Sequence, residues 1–413
     1  MTFSTTQLDE AAAQALTLVQ PIFARLETVA RENTAKVLDA FRRHQVADFH
    51  FRTTTGYGYG DSGRDKLDEV WASVFGAEKA LVRAQFVSGT HALATVLFGL
   101  LRPGDELLSV TGAPYDTMQT VIGHAAPAGG SLTEWGVVYK EMPFHGTLPS
   151  PAELTGAITP RTKVALIQRS RGYSLRSPLT VADIRALCRR IKEVKPDCVC
   201  FVDNCYGEFV ETLEPTAVGA DIAAGSLIKN PGGGIAPSGG YIAGRADLVE
   251  LAAQRLTAPG IGAELGASLA DNRLLFQGLF MAPHTVSQAL KSAVFAAALF
   301  AGLGYNVLPR YDEPRSDIIQ AIEFGTPELM VAFCRGLQRL SPVDSHVRPE
   351  PSAMPGYSDA VVMAAGAFVQ GSSIELSADG PLRAPYAVYL QGGLTFEHAL
   401  LGVMGAAEEI SKT

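Results

Sequence analysis

Residues 201–234, FVDNCYGEFVETLEPTAVGADIAAGSLIKNPGGG, constrain this chain more than any other stretch. The run Cys198–Val202 (CVCFV) offers no polar residue to a solvent-facing side, so it reads as a buried strand ending at Asp203. A second short apolar stretch leads through Gly225 and Ser226 to Lys229, 26 positions after that acid. Asn230, Pro231 and three glycines follow the lysine and end any regular element there. One acid at a strand end and one lysine in a glycine-rich turn form the first candidate pair of chemical groups.

The flanking sequence alternates strand with helix. Lys79–Val87, Glu106–Val110, Val137–Met142, Lys163–Gln168 and Gly239–Ala243 read as strands. Helices are expected at Asp65–Phe75, Ala92–Leu101, Thr117–Gly123, Val181–Lys192 and Ala246–Arg255. Such alternation predicts a mainly parallel sheet between helical layers. In open sheets of this kind ligands bind beyond the C-terminal ends of the strands. Tyr115 falls at such an end, and Arg169–Ser174 places several hydrogen-bond donors beyond another. Ser88, Gly89 and Thr90 lie between a strand and an apolar helix, where free backbone N–H groups make an anion site.

Residues 4–47 read as helical, with Pro21 expected to break the run or begin a new helix. Residues 53–64, TTTGYGYGDSGR, form a glycine- and aromatic-rich loop in which Tyr57, Tyr59 and Arg64 could reach a phosphate. Gly260–Ala270 reads as a glycine-broken connector, and Val286–Leu303 as a long apolar helix. A smaller α+β unit follows, with a helix at Pro327–Arg339, a proline-rich turn at 348–355 and the tail GPLRAPYAVYLQGGL from Gly380. The expected division is 1–64 as a helical arm and active-site loop, 65–285 as the large domain and 286–413 as the small domain.

The 413 residues suffice for more than one domain, and a composition 47% hydrophobic and 18% charged is that of a globular protein. A net charge of -8 argues against a nucleic-acid partner. No basic segment followed by an apolar core opens the chain, and the Ala293–Leu303 run is too short to span a bilayer. A cytoplasmic location without membrane association is expected. The five cysteines are odd in number and contain no C-x-x-C pair, so they are expected to be buried reduced thiols, with no metal site.

Pyridoxal phosphate (PLP) chemistry needs the groups already named. It requires a lysine that forms an imine and then serves as a base, and a carboxylate that keeps the pyridine nitrogen protonated. It also needs donors for a phosphate, an aromatic cover for the ring, and commonly an arginine for the substrate carboxylate. Lys229 and Asp203 fit the first two needs, and Ser226, three residues before the lysine, stands near enough to serve the phosphate.

Together these residues resemble fold type I PLP enzymes, a transferase-like α/β fold with an N-terminal helical arm and a smaller C-terminal α+β domain. More closely, the chain resembles the methionine gamma-lyase family, also called the aluminium-resistance protein family. The stretches GYGYGDSGRDKLDEVWASVFGAE, FVSGTHAL, IQRSRGYS, the 201–234 segment and RAPYAVYLQGGLT carry the likeness. It implies Lys229 as the Schiff-base lysine, Asp203 as the pyridinium partner, and Ser88, Gly89, Thr90 and Ser226 as phosphate ligands. Tyr115 is implied as the ring-stacking residue and proton donor to the leaving group, and Arg383 as the substrate-carboxylate arginine. Tyr57, Tyr59 and Arg64 match the stretch that reaches a neighbouring subunit's phosphate, which implies a homodimer with shared sites and commonly a homotetramer. Thr117 stands where the better-studied methionine lyases carry a cysteine.

The expected activity is a PLP-dependent carbon–sulfur lyase, eliminating at Cβ or Cγ of methionine, cystathionine or cysteine. Two alternatives stand beside it: a γ-replacement transferase or aminotransferase, and a non-catalytic PLP-binding or metal-tolerance protein.

Overall fold

The computed structural model describes residues 3–124, 129–144, 146–269, 271–354, 357 and 359–413. Residue 270 of the expected connector and residue 355 of the proline-rich turn lie outside them. In chain order the large-sheet region comprises α1 (Thr5–Arg43), α2 (Ser62–Phe75), β1 (Lys79–Arg83), α3 (Gly89–Leu100), β2 (Glu106–Ser109), α4 (Asp116–Ile122) and β3 (Val138–Glu141). It continues with α5 (Pro151–Ala157), β4 (Thr162–Gln168), α6 (Val181–Val194), β5 (Val199–Asp203), β6 (Ile222–Ser226), β7 (Gly240–Gly244) and α7 (Ala246–Leu256). Then come α8 (Asn272–Gly302), β8 (Asn306–Leu308), β9 (Gln320–Glu323), α9 (Pro327–Arg339), β10 (Val361–Ala364), β11 (Ser377–Pro381), β12 (Ala387–Gln391) and α10 (Phe396–Ser411).

Seven strands form one sheet in the order β1-β7-β6-β5-β4-β2-β3. The pairs joining β6, β5, β4, β2 and β3 are parallel, and β7 runs antiparallel to both its neighbours. The period of two along each strand sorts side chains to opposite faces. Leu166, Phe201 and Ile222 pack with α3 and α7 on one face. Ala165, Ile167, Cys200, Val202 and Ala223 pack with α6 on the other. Both faces are therefore dry, which is why CVCFV carries no polar position. All five cysteines are free and buried. The second sheet, β10-β11-β12-β9-β8, is antiparallel throughout.

Two of the expected helices differ in extent, and α5 and α10 stand where no helix was expected. α1 runs unbroken through Pro21. The proline sits on the exposed side, where the carbonyl it leaves unbonded can turn to water. The opposite face, Leu8, Ala12, Ala15, Val19 and Phe23, is buried against α8 and the small-sheet core, which offsets the lost bond of roughly 3 kcal/mol. α8 begins at Asn272, well before Val286, because the polar residues and Pro283 of its first half are tolerated by packing in the core with α2 and the larger sheet. Its second half packs into the core of the smaller sheet. The expected division at 285/286 thus falls inside one continuous helix that serves both sheets. α8 has the length and hydropathy of a membrane span, but 78% of its most apolar window is buried inside the protein.

The same helix fixes the lysine turn. A Cβ added at Gly278 would lie 2.4 Å from the Gly232 carbonyl oxygen, so α8 approaches the turn backbone to backbone. Thr285 Oγ1 donates to Gly233 O at 3.2 Å about two turns further on. Replacing Gly278 by alanine should force this contact apart and lower stability by about 1–3 kcal/mol, read as a shifted denaturant midpoint. An unchanged midpoint would show that the turn yields freely.

Candidate active site

The parallel strands β2, β4, β5 and β6 end at Ser109, Gln168, Asp203 and Ser226. A cavity of about 810 Å³ opens beyond these ends, and Lys229, Asp203, Tyr115 and Thr90 line it. The smaller sheet supplies Asp379, Arg383, Tyr389 and Gln391 to the same cavity.

Lys229 follows β6 by three residues and precedes a tight turn at Asn230–Gly232. Asn230 anchors that turn by donating from Nδ2 to Glu208 O at 2.9 Å. Lys229 Nζ lies 3.9 Å from the centre of the Tyr206 ring, within cation–π range. Burial disfavours its charge, but Cys205, Tyr206, Asp203 and Tyr115 together outweigh burial and raise the ammonium well above its ordinary range. Asp203 is 5% exposed. Burial raises its carboxyl, while Lys229 and the Cys205 N–H, donating at 3.1 Å, pull it back.

A buried network holds the turn after Asp203. Arg169 Nη1 donates to Asn204 Oδ1 at 2.7 Å, and Asn204 Nδ2 donates to Glu214 at 3.0 Å and to the Tyr241 hydroxyl at 3.1 Å. The Tyr241 hydroxyl donates to Glu208 Oε1 at 2.8 Å. Held this way, Tyr206 keeps a φ of 71°, a conformation that costs a tyrosine about 1–3 kcal/mol and that turns its ring onto Lys229.

Tyr115 precedes α4, and its N–H is fixed by Gln168 Oε1 at 2.9 Å. Its hydroxyl shares a 2.9 Å hydrogen bond with Thr90 Oγ1. Burial, with Asp203 and Cys205 adding, raises its phenol far above the usual range, so it stays protonated.

Ser88 caps α3 by accepting from His91 N at 3.1 Å. A Cβ at Gly89 would lie 3.0 Å from Ser226 Cβ and 3.6 Å from Cys205 Sγ. The two expected phosphate segments are therefore side by side, with the open helix start between them. Only Thr90 of these residues lines the cavity itself.

Arg383 lines the cavity mouth, exposed, and pairs with Asp359 at 3.0 Å. Tyr57 and Tyr59 are 73% and 70% exposed and stand outside the cavity, their rings 5.9 Å apart. Arg64 is 4% exposed and gives its guanidinium to Gly58 O at 2.7 Å, Gly266 O at 3.0 Å and Asp65. Within one chain it braces the loop that presents the two tyrosines. Sequence reasoning passed over Tyr206, Arg176 and Asp379, all of which line the cavity. The first had a signal in its place three residues after Asp203. Arg176 follows the donor-rich 169–174 run, but Asp379 reads as an ordinary Asp-Gly turn.

Residues 8–411 match the family model described as Methionine gamma-lyase. The chain belongs to the methionine gamma-lyase family. Among its relatives is the Uncharacterized protein YnbB of Bacillus subtilis, 49% identical over 392 residues, covering 94% of this chain and 93% of that one. A solved Clostridium novyi structure, called a carbon-sulfur lyase involved in aluminum resistance, is 48% identical with a TM-score of 0.94, covering 98% of this chain and 96% of its own. A Listeria monocytogenes structure, provisionally named a cystathionine beta-lyase involved in aluminum resistance, is 50% identical with a TM-score of 0.95, covering 97% and 100%. The pyridoxal-5'-phosphate dependent protein YhfS of Escherichia coli, 18% identical, shares the fold with a TM-score of 0.63 over 93% and 96% of the two chains. The fold of this family member is that of fold type I PLP-dependent enzymes.

The buried network makes a pH-dependent prediction. Burial pushes the Glu208 carboxyl up to about 8 from an ordinary 4.5, with Glu214 adding and Tyr241 and Lys229 opposing. The folded protein then keeps a proton that the unfolded chain has released. Stability from this group is greatest below about 4.5 and falls as pH rises to about 8. Glu208→Gln stays neutral and should gain on the wild type by a few kcal/mol between pH 5 and pH 8 in denaturant unfolding. Parallel pH profiles for the two proteins would contradict this.

Proposed function

We propose that this protein is a PLP-dependent carbon–sulfur lyase acting on a sulfur amino acid. The observation that carries the reading is the convergence of Lys229, Asp203 and Tyr115 in one cavity beside the Gly89–Ser226 cradle. That donor set fits PLP: a buried carboxyl for the ring nitrogen, an amine at the cavity floor, a phenol at one side and an open helix start for the phosphate. The names of the Clostridium and Listeria relatives support the same activity. So does a 28% identity over 197 residues to an L-methionine gamma-lyase of Pseudomonas deceptionensis, covering 47% of this chain and 44% of that one.

When bound, PLP supplies an electron sink for charge that develops at the substrate's Cα. Lys229 would hold the cofactor, and its Nζ would take the proton from the substrate's Cα. Asp203 would keep the ring nitrogen protonated through its charge and dry setting. The C–S bond breaks with its electron pair on sulfur, and Tyr115, held protonated by burial, gives the leaving thiolate a proton. For loss from Cγ, Lys229 also removes a Cβ proton. Arg383 receives the substrate carboxylate at the cavity mouth. With water, the products are a thiol, ammonia and a 2-oxo acid. The exposed Tyr57 and Tyr59 serve the phosphate of a neighbouring subunit, which makes the working form at least a dimer.

Lys229→Ala should lose the visible absorbance of the bound cofactor and release no thiol or ammonia from sulfur amino acids. Tyr115→Phe should keep the absorbance and lower kcat about 10²–10⁴-fold. A Lys229→Ala protein with unaltered absorbance and turnover would overturn the assignment. Amino-group transfer that requires a 2-oxo acid acceptor would replace the lyase with an aminotransferase.

A further inference from the structure

Tyr206 lines the cavity, and the proposed chemistry leaves it without a task. It lies three residues after Asp203, in a turn where two non-glycine residues take left-handed backbone, Tyr206 at a φ of 71° and Phe209 at 60°. Glycine would sit at either place without steric cost. A tyrosine kept there against its preference points to a need for its side chain. The ring is fixed from both sides. It packs against the core that holds Phe209, Leu227 and Ile374, and against the cluster of Ile319, Ala321, Ala387 and Tyr389 beside the smaller sheet.

The face of that ring is turned to Lys229, whose Nζ stands 3.9 Å from its centre. Among the described residues this Nζ has no hydrogen bond and no ion pair, so the ring is its direct contact. The titratable groups around it are Asp203 at the end of β5, Cys205 and Tyr206 in the turn that follows, and Tyr115 before α4. Asp379 of β11 and Glu208 also lie in its field. Burial raises Cys205, Tyr206 and Tyr115, so the thiol and both phenols stay neutral. Asp203 and Asp379 act on the ammonium through the field, without contact. A neutral aromatic face attracts an ammonium through the ring quadrupole, and most strongly where water is excluded.

We propose that Tyr206 is the positioning residue of Lys229, its ring face docking the ammonium whenever the lysine is not bound to the cofactor. Taking the substrate's Cα proton turns the amine of Lys229 into an ammonium. A ring that stabilises the ammonium therefore makes Nζ the stronger base and holds it where the turn presents it. The strained backbone and the buried network behind it act together to aim one aromatic face. This rests on Lys229 being the base of the proposed lyase and adds the group that sets its strength and its place.

The test reads Lys229 itself. In the full-length protein freed of cofactor by hydroxylamine and dialysis, trace acetic anhydride acetylates only the uncharged amine, and mass spectrometry of the Lys229 peptide gives the rate. At about pH 9, Tyr206→Leu should raise that rate about 2–30-fold, because an ammonium without the ring gives up its proton more readily. Tyr206→Phe keeps the ring and should stay within about twofold of the wild type. Phenylalanine analogues with one, two and three ring fluorines at position 206 keep the shape and drain negative charge from the face, so the rate should climb with each fluorine. In the cofactor-loaded enzyme, Tyr206→Leu should lower kcat by about 2–30-fold with KM nearly unchanged, while Tyr206→Phe turns over like the wild type. A Lys229 rate that stays flat across the fluorine series would overturn the proposal, whether or not Tyr206→Leu folds. So would a Tyr206→Phe protein that loses as much as Tyr206→Leu, because the hydroxyl would then be the working group. A climbing series beside a Lys229→Ala protein that keeps its absorbance and turnover would uphold the docking and sink the lyase reading.

Discussion

The backbone contact between Gly278 of α8 and Gly232 of the lysine turn sets the geometry on which the rest of the site depends. Lys229 is carried on a turn too short to hold itself. It is clamped from below by α8 and from the side by Asn230 bonding to Glu208. Because α8 also runs into the core of the second sheet, the clamp links the lysine to the sheet that contributes Asp379 and Arg383. A helix with one end in each core holds the two halves of the cavity in a fixed register.

Behind the cavity, polar groups are buried at considerable cost and are retained in a connected network. Arg169, Asn204, Glu214, Tyr241 and Glu208 satisfy most of one another's hydrogen bonds. Such a network rigidifies its surroundings when its members are paired. Here the rigid element is the turn from Asp203 to Tyr206, and the strained φ of Tyr206 is its local consequence. Strain of this kind persists only where neighbouring structure over-determines the backbone.

Much of the fold was legible in the sequence. Strand ends at Gln168 and Asp203, the start of α3 beside Ser88, and the parallel sheet between helices all follow from apolar runs, turn residues and period. α1 and α8 were not, for one reason: local signals at Pro21 and Pro283 disfavour helix, and long-range burial overrides them. In the site, Lys229, Asp203, Tyr115 and Thr90 were named in advance and meet in one cavity. Arg64 was named as well, but its guanidinium is turned inward to Gly58 and Gly266 carbonyls that no local pattern could assign to it.

By itself the sequence determined the order of strands and helices, the acid and lysine at adjacent strand ends, and the membership of a PLP-enzyme family. These are properties of local pattern and of stretches long enough to be specific. Only the tertiary structure decided which distant side chains share the cavity. Asp379 is 150 residues from Lys229 and sits in an unremarkable Asp-Gly pair, yet pairing of β11 with β12 puts it at the cavity wall. Its carboxyl is raised only after folding has removed it from water, and so has no signature in the chain.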